Sequence, residues 1–127
     1  MTRIAGISEA DEQTALFRWA ACNRVKYPEL ELLYHIPNEG QRSKVTGARL
    51  RAQGLRRGVP DICLPVPSVR YTALYIEMKR RTGGKVSEDQ RAWIEKLNRV
   101  GCRAVVCHGW DEAREEIERY LGFGRRI

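Results

Sequence analysis

Three residues of the chain have the side chains that phosphodiester hydrolysis needs. Asp61 follows Pro60, and Glu77 and Lys79 stand two residues apart in an apolar stretch. Carboxylates are ligands that Mg²⁺ accepts, usually one or two of them together with waters. Such a cation neutralises charge on a phosphate and makes water easier to deprotonate, while a nearby lysine can stabilise developing negative charge. The three residues are therefore candidates for a magnesium-dependent hydrolytic site.

The strand predicted around Glu77 and Lys79 determines whether the two side chains lie on one buried face. Alternate strand residues project to the same face, so Glu77 and Lys79 point together while Ile76 and Met78 point to the other face. A charged pair on a buried strand costs several kcal/mol unless a cation or a phosphate neutralises it. The competing interpretation is a solvent-facing pair, with Asp61 as the cap of a turn. Taken alone, the Glu-x-Lys spacing favours that second interpretation.

The elements that must position these residues follow from apolar periodicity and from turn residues. Ser8 and Ser87 are expected to cap helices, and Pro28 and Gly101 are expected to end them. A helix between the last two strands makes those strands parallel. We therefore expect an α/β fold with a small mixed sheet flanked by helices. The predicted helices cover residues 8–26, 43–54, 87–99 and 111–121, and the predicted strands cover 32–36, 61–64, 73–79 and 103–107.

The first predicted helix carries acids on its apolar side. At about 100° per residue, Glu9, Glu12 and Gln13 all fall within roughly 60° of Leu16. The face that holds Leu16 is expected to point inward. Two carboxylates and an amide on that face are unusual for a first turn that only meets solvent.

The composition fits one domain that binds a polyanion. The 127 residues suffice for a single compact domain over residues 1–127. The net charge is +7, from 23 Lys and Arg against 16 Asp and Glu, which favours partners such as nucleic acid. The basic residues crowd into one segment that contains no acid, namely Arg42, Lys44, Arg49, Arg51, Arg56 and Arg57.

Several other classes of protein are disfavoured. No segment approaches the roughly 18–20 apolar residues that span a bilayer, and the N-terminus lacks the apolar region of a secretory signal. We therefore expect a cytosolic protein with no membrane partner. The four cysteines form no Cys-x-x-Cys pair, so we expect reduced and mostly buried thiols and no zinc site.

Three segments, taken in order, resemble the VRR-NUC family of small phage and bacterial nucleases, which belongs to the PD-(D/E)XK superfamily. They are Gly58-Val59-Pro60-Asp61-Ile62, Ile76-Glu77-Met78-Lys79 and Gly83-Gly84-Lys85-Val86-Ser87-Glu88-Asp89-Gln90. Supporting motifs are Glu9…Gln13, Pro37-Asn38-Glu39-Gly40 and Ser87-x-x-Gln90-x-x-Trp93. The resemblance runs from about residue 8 to residue 110. It implies a restriction-endonuclease-like core in the order α-β-β-β-α-β.

The resemblance also implies a role for each matching residue. Asp61 and Glu77 would ligate Mg²⁺ or Mn²⁺, with the backbone carbonyl of Met78 as a further ligand. Lys79 would act on the attacking water or on the phosphate.

Two further positions, the first-helix acid and Gln90, each allow two interpretations. An acid of the first helix would complete the site: Glu9 is preferred because its spacing to Gln13 matches the family, and Glu12 is the rival. Gln90 would lie near the active site, yet Ser87-x-x-Gln90 also has the spacing of a capping box, in which the amide reaches back to the helix cap. The two roles of Gln90 need not exclude each other.

The expected activity is that of a metal-dependent, structure-selective DNA endonuclease similar to Holliday-junction resolvases. A four-way junction presents two equivalent strands, so a two-fold homodimer would supply two matched sites. The alternatives are a flap- or single-strand-directed nuclease of the same fold and a non-catalytic nucleic-acid-binding module. No motif for reading bases occurs, so DNA is expected to be recognised by shape through its phosphates. The residues expected to hold those phosphates are Arg42, Lys44, Arg49, Arg56 and Arg57.

Overall fold

The computed structural model describes residues 7–37 and 44–124 of the chain. Within these residues, helices and strands alternate around one sheet. In chain order they are α1 (Glu9–Cys22), a 3-10 helix (Pro28–Leu32), β1 (Tyr34–His35), α2 (Lys44–Ala52), β2 (Ile62–Leu64), β3 (Leu74–Lys79), α3 (Glu88–Arg99), β4 (Arg103–His108) and α4 (Trp110–Gly124).

The strands form one mixed sheet in the order β1-β2-β3-β4. β1 pairs with β2 and β2 pairs with β3 in antiparallel fashion, whereas β3 and β4 are parallel. The parallel pair is joined through α3, because parallel neighbours need a crossover connection. The predicted mixed α/β class is therefore confirmed.

One face of the sheet carries the apolar core. Leu74, Ile76 and Met78 of β3 are buried there against residues of α1 and α4, such as Leu16 and Ile117. Burying one such side chain contributes roughly 2 kcal/mol, so the core fixes which face of β3 points inward. Alternation then directs the remaining strand residues to the opposite face, on the side of α3.

Helix ends beside this sheet are set by short polar contacts. Ser8 Oγ accepts a hydrogen bond from Asp11 N at 3.0 Å, and Ser87 Oγ accepts one from Gln90 N at 3.1 Å. Gly101 follows α3 with φ of +105°, a left-handed conformation that glycine adopts with little strain. These local features set where α3 begins and where it ends.

Several boundaries differ from the sequence prediction, among them the ends of α2 (Lys44–Ala52, predicted 43–54) and of α4 (Trp110–Gly124, predicted 111–121), and two of the differences have a visible cause. α1 ends at Cys22 rather than at residue 26, because Asn23 turns the chain and donates from Nδ2 to the carbonyl of Trp19 at 2.8 Å. The strand predicted over 32–36 shortens to Tyr34–His35. Pro28 begins a 3-10 helix ahead of it, since proline fits the first turn of a helix.

The cysteines are free thiols in different environments. Cys63 and Cys107 are buried, Cys102 is half-buried and Cys22 is exposed. Burial raises the pKa of the Cys107 thiol to about 12, which keeps it protonated and unreactive. No helix in the described part of the chain is long and apolar enough to cross a membrane.

Candidate active site

The candidate site lies where β2 begins and β3 ends. These strands are antiparallel, with Ile62 opposite Ile76, so Asp61 stands beside the residues that follow Ile76. Asp61 Oδ2 accepts a hydrogen bond from Met78 N at 2.8 Å. A strand residue directs its N–H and its C=O to the same side, so the Met78 carbonyl also points to the β2 side of β3, where Asp61 lies.

The backbone that leads into Asp61 is fixed by neighbouring segments. The Asp61 carbonyl accepts a hydrogen bond from Ile36 N at 2.7 Å and lies 2.9 Å from His35 Nδ1. Gly58 has φ of +87°, and a Cβ there would lie 2.5 Å from the carbonyl carbon of Asp89 in α3. Only glycine accommodates both this backbone and this approach. Gly58 therefore lets the loop before Asp61 rest directly on α3.

Glu77 and Lys79 are buried, with 2% and 6% of their surface exposed, so the solvent-facing interpretation of the pair is excluded. Lys79 Nζ lies 3.5 Å from Glu77 Oε2. Glu77 Oε1 is buried and has no hydrogen-bond partner among the described residues. Burial, and then the charge of Asp61, raise the pKa of Glu77 to about 8, although Lys79 acts in the opposite direction. One oxygen of this carboxylate therefore lacks the partner that a buried charge requires.

Gln90 links α3 to this carboxylate. Gln90 Oε1 accepts a hydrogen bond from Ser87 N at 2.9 Å, which completes the capping box. At the same time, Gln90 Nε2 donates to Glu77 Oε2 at 2.8 Å. The two interpretations of Gln90 are thus compatible, because the cap holds the amide with its donor directed at Glu77.

Asp61 and Gln90 line a cavity of about 300 Å³. This volume lies at the lower end of the range for ligand sites, and it accommodates a phosphodiester group with waters. Arg57 offers a guanidinium that suits phosphate. The other lining residues are Gly58, Val59, Ser87 and Asp89.

The residues around Glu77 fit a divalent cation of the magnesium type. Within residues 7–37 and 44–124, no three or more His, Cys, Asp or Glu side chains form a metal-binding group. Mg²⁺ does not require one, since it usually takes one or two carboxylates and keeps several waters. The feature that favours a cation here is Glu77 Oε1, which no described residue pairs with. Asp61, Glu77 and the Met78 carbonyl are the oxygen donors that could hold such a cation.

The two candidate acids of α1 lie in different environments. Glu9 is exposed and does not line the cavity. Glu12 is only 1% exposed and accepts hydrogen bonds from Arg81 Nε at 3.0 Å, Arg81 Nη2 at 3.3 Å and Trp110 N at 2.9 Å. Of the acids predicted on the inward face, therefore, only Glu12 is buried. The choice of a first-helix acid for the site stays a prediction.

The basic residues predicted to hold DNA lie on α2 and just after it. None of the residues of α2 is buried. Arg56 Nη1 donates to the carbonyl of Arg51 at 3.3 Å, which holds its side chain against the end of α2. Arg42, like Asn38 and Glu39 of the predicted turn, lies outside the described residues. The members that the structure describes are exposed, namely Lys44, Arg49, Arg56 and Arg57.

Arg81 has contacts that the sequence did not reveal. It binds Glu12 through two nitrogens, and its Nη1 lies 2.9 Å from Asp111 Oδ1. The one signal in the sequence was the basic run of residues 79–81. Spacing rules do not show that an acid 69 residues earlier in the chain is its partner.

Comparisons with known proteins point to one family. The sequence model of a family described as "VRR-NUC domain" matches residues 7–111. A solved structure named "VRR_NUC domain protein" is similar over 95% of this chain and 93% of that chain, with a TM-score of 0.82 and 27% sequence identity. A search of curated proteins finds no significant match. The matched region includes every candidate residue of the cavity and of the buried charged pair.

Proposed function

The chain belongs to the VRR-NUC domain family, and from this premise we propose that it is a metal-dependent endodeoxyribonuclease that selects branched DNA. Family membership indicates nuclease-type chemistry on nucleic acid. The observation that carries the metal dependence is the buried oxygen of Glu77 beside the Asp61 carboxylate, which has no hydrogen-bond partner among the described residues. Such an arrangement is costly for an empty protein and is relieved by a cation.

The cation would be held by Asp61, by Glu77 and by the backbone carbonyl of Met78. Mg²⁺ or Mn²⁺ bound there supplies charge neutralisation at the phosphate and makes water acidic enough to attack at neutral pH. Gln90 orients Glu77 by donating to its Oε2, and within residues 7–37 and 44–124 Oε1 is left as the acceptor without a partner. Asp61 is oriented by the hydrogen bond from Met78 N.

Lys79 provides positive charge at the reacting group. Its Nζ is held 3.5 Å from Glu77 Oε2, from where it can donate to a phosphate oxygen or orient the attacking water. A fixed donor of this kind stabilises the negative charge that grows in the transition state. Gly84 packs on the stem of Lys79, because a Cβ at Gly84 would lie 3.0 Å from Lys79 Cβ. The close packing limits how far the lysine can swing away.

Phosphate contacts would come from the exposed basic residues of the α2 region. Lys44, Arg49 and Arg57 are exposed, and Arg57 also lines the cavity. Contacts to phosphates position a duplex without reading its bases, which supports selection by shape. Stand-alone members of the family resemble Holliday-junction resolvases, and this supports a four-way junction as the preferred substrate and a two-fold homodimer as the active form.

A substrate panel tests the proposal. Fluorescently labelled four-way junction, flap, linear duplex and single strand are incubated with wild type and with Glu77→Gln, in Mg²⁺, in Mn²⁺ and in EDTA. We expect wild type to nick the junction fastest with either metal and to cut nothing in EDTA. Glu77→Gln preserves the shape of the side chain, and we expect it to cut nothing in any condition.

Other outcomes have distinct meanings. Faster cleavage of the flap or the single strand assigns the flap- or single-strand-directed activity and contradicts the junction preference. Salt-dependent binding without cleavage in either metal identifies a non-catalytic module and overturns the proposal. Light scattering of the protein with and without the junction measures the homodimer, and a monomer on the cleaved junction contradicts it.

A further inference from the structure

The chain is held by other elements at each of the three positions where it leaves β3. The Lys79 carbonyl accepts a hydrogen bond from Gly109 N at 3.0 Å. The Arg80 carbonyl lies 2.9 Å from His108 Nδ1. The Arg81 side chain forms the third connection, to Glu12 of α1 and Asp111 of α4. The segment that follows the candidate catalytic lysine is therefore fixed to both helices of the core.

Arg81 binds Glu12 through paired hydrogen bonds, and we call such a paired arginine–glutamate contact a clamp. Arg81 Nε and Nη2 bind the two oxygens of Glu12, and paired contacts of this kind fix orientation as well as distance. Glu12 is almost fully buried and also accepts from Trp110 N at 2.9 Å. Gly109, with φ of +93°, lets the Arg81 stem lie on the turn between β4 and α4, because a Cβ there would lie 3.0 Å from Arg81 Cγ.

Arg81 is placed to act on the site without touching it. Among the described residues, the hydrogen bonds and ion pairs of Arg81 go to Glu12 and Asp111 rather than to Glu77 or Lys79, yet Arg81 lies only two residues from Lys79 in the chain. We propose that Arg81 is a positioning residue: by anchoring the end of β3 to α1 and α4, it holds Lys79 Nζ at its place beside Glu77. This inference rests on the proposed nuclease function.

The chain contains a matched control for this clamp. Arg103 of β4 binds Glu116 of α4 through the same two nitrogens, Nε and Nη2. Glu116 is 6% exposed, so this pair is also largely buried on its acidic side. Arg103 is in register with Leu74 at the start of β3, whereas Lys79 is in register with His108. The two clamps therefore lie at opposite ends of the same pair of strands.

The test compares Arg81→Gln with Arg103→Gln. For junction nicking in Mg²⁺ we expect Arg81→Gln to lower kcat about tenfold or more, since small misplacements of a reacting group are costly. Its KM for the labelled junction should stay within about twofold of wild type. Arg103→Gln should keep kcat within about twofold of wild type, even if it lowers the melting temperature as much as Arg81→Gln does. Should Arg81→Gln not fold, Arg81→Lys keeps the charge without the paired contact, and we expect a smaller loss of kcat.

A second readout needs neither DNA nor metal. Limited acetylation with acetic anhydride, followed by peptide mass spectrometry, reports how accessible Lys79 Nζ is. We expect several-fold faster labelling of Lys79 in Arg81→Gln and an unchanged rate in Arg103→Gln. Equal losses of kcat in the two variants, or unchanged labelling in Arg81→Gln, overturn the inference. If the wild type cuts nothing while the labelling changes as expected, the proposed function fails and the link between Arg81 and Lys79 stands.

Discussion

Two buried glutamates of this protein, Glu12 and Glu77, have opposite surroundings. Their exposed fractions are nearly equal, at 1% and 2%. Glu12 receives three hydrogen bonds, two of them from the guanidinium of Arg81. Glu77 receives contacts from Gln90 and Lys79 at one oxygen, while its other oxygen has no partner among the described residues. Burial alone therefore does not separate a structural acid from a functional one.

The completeness of the hydrogen bonding separates them. A buried charge with its full set of partners holds elements together, and removing one partner is destabilising. A buried charge with an open oxygen and a carboxylate neighbour costs stability until a ligand arrives. Natural active sites retain such costs because activity depends on them. On this basis we propose that Glu12 belongs to the scaffold and Glu77 to the candidate active site.

The largest expected effect is on cleavage by Glu77→Gln. The amide removes the charge that would hold the cation, so we expect the rate of junction nicking to fall by about 10³-fold or more. The stability of the metal-free protein should stay equal or rise, because a buried carboxylate next to Asp61 has been removed. Initial rates and thermal melting in EDTA measure both quantities. Retained activity together with a lowered melting temperature would contradict the catalytic role proposed for Glu77.

Glu12→Gln should lower stability more than Glu77→Gln does and should lower cleavage less. It removes charged hydrogen bonds to Arg81, so we expect the free energy of unfolding to fall by about 2 kcal/mol, as measured by urea denaturation. Cleavage by the folded protein should fall far less than in Glu77→Gln.

The control for this variant is Glu9→Gln, on the exposed first turn of the same helix. Its stability should change by no more than about 0.5 kcal/mol. A loss of cleavage in Glu9→Gln with stability unchanged would identify Glu9 as the first-helix acid of the site. A loss of cleavage in Glu12→Gln as large as in Glu77→Gln would contradict the scaffold role of Glu12.

The sequence predicted the features that depend on one element, but not the contacts between distant segments, such as that of Glu12 with Arg81. The strand of Glu77 and Lys79, the caps at Ser8 and Ser87, and the parallel crossover all follow from local patterns, and the structure has them. Local patterns describe one element at a time. They predicted the buried face of α1 without showing that Arg81, 69 residues later, would bind there.

The short β1 strand and the early end of α1 were missed for a related reason. The predicted strand over 32–36 and the helix to residue 26 both relied on apolar spacing. The 3-10 helix at Pro28–Leu32 and the Asn23 side chain determine those ends instead. Such contacts form only once the segment has packed against the rest of the chain, so periodicity carries little information about them.

A smaller effect is expected from Gly84→Ala. The backbone of Gly84 does not have a positive φ, so alanine is tolerated there. Its Cβ would approach Lys79 Cβ to 3.0 Å and Lys79 Cδ to 3.3 Å, which forces the lysine to shift. We expect about tenfold slower cleavage, since displacement of a catalytic group by a fraction of an ångström to one ångström costs this much or more.

The matched control for Gly84→Ala is Gly122→Ala in α4. A Cβ at Gly122 meets nothing within 4 Å, so cleavage should be unchanged. Alanine in place of glycine inside a helix should raise stability by roughly 0.5–1 kcal/mol. If the two variants cleave at the same rate, the packing of Gly84 does not position Lys79.

The smallest effects should come from single basic residues on the surface. Arg49 is exposed on α2, whereas Arg114 of α4 is paired with Glu118 at 2.8 Å. If Arg49 contacts one phosphate, Arg49→Gln should reduce the slope of log affinity against log salt concentration by about 0.9. Arg114→Gln should leave the slope unchanged, because its charge is already matched by an acid. Fluorescence anisotropy of a labelled duplex across a salt series measures this slope, and equal slopes for both variants would show that Arg49 does not lie on the DNA-binding surface.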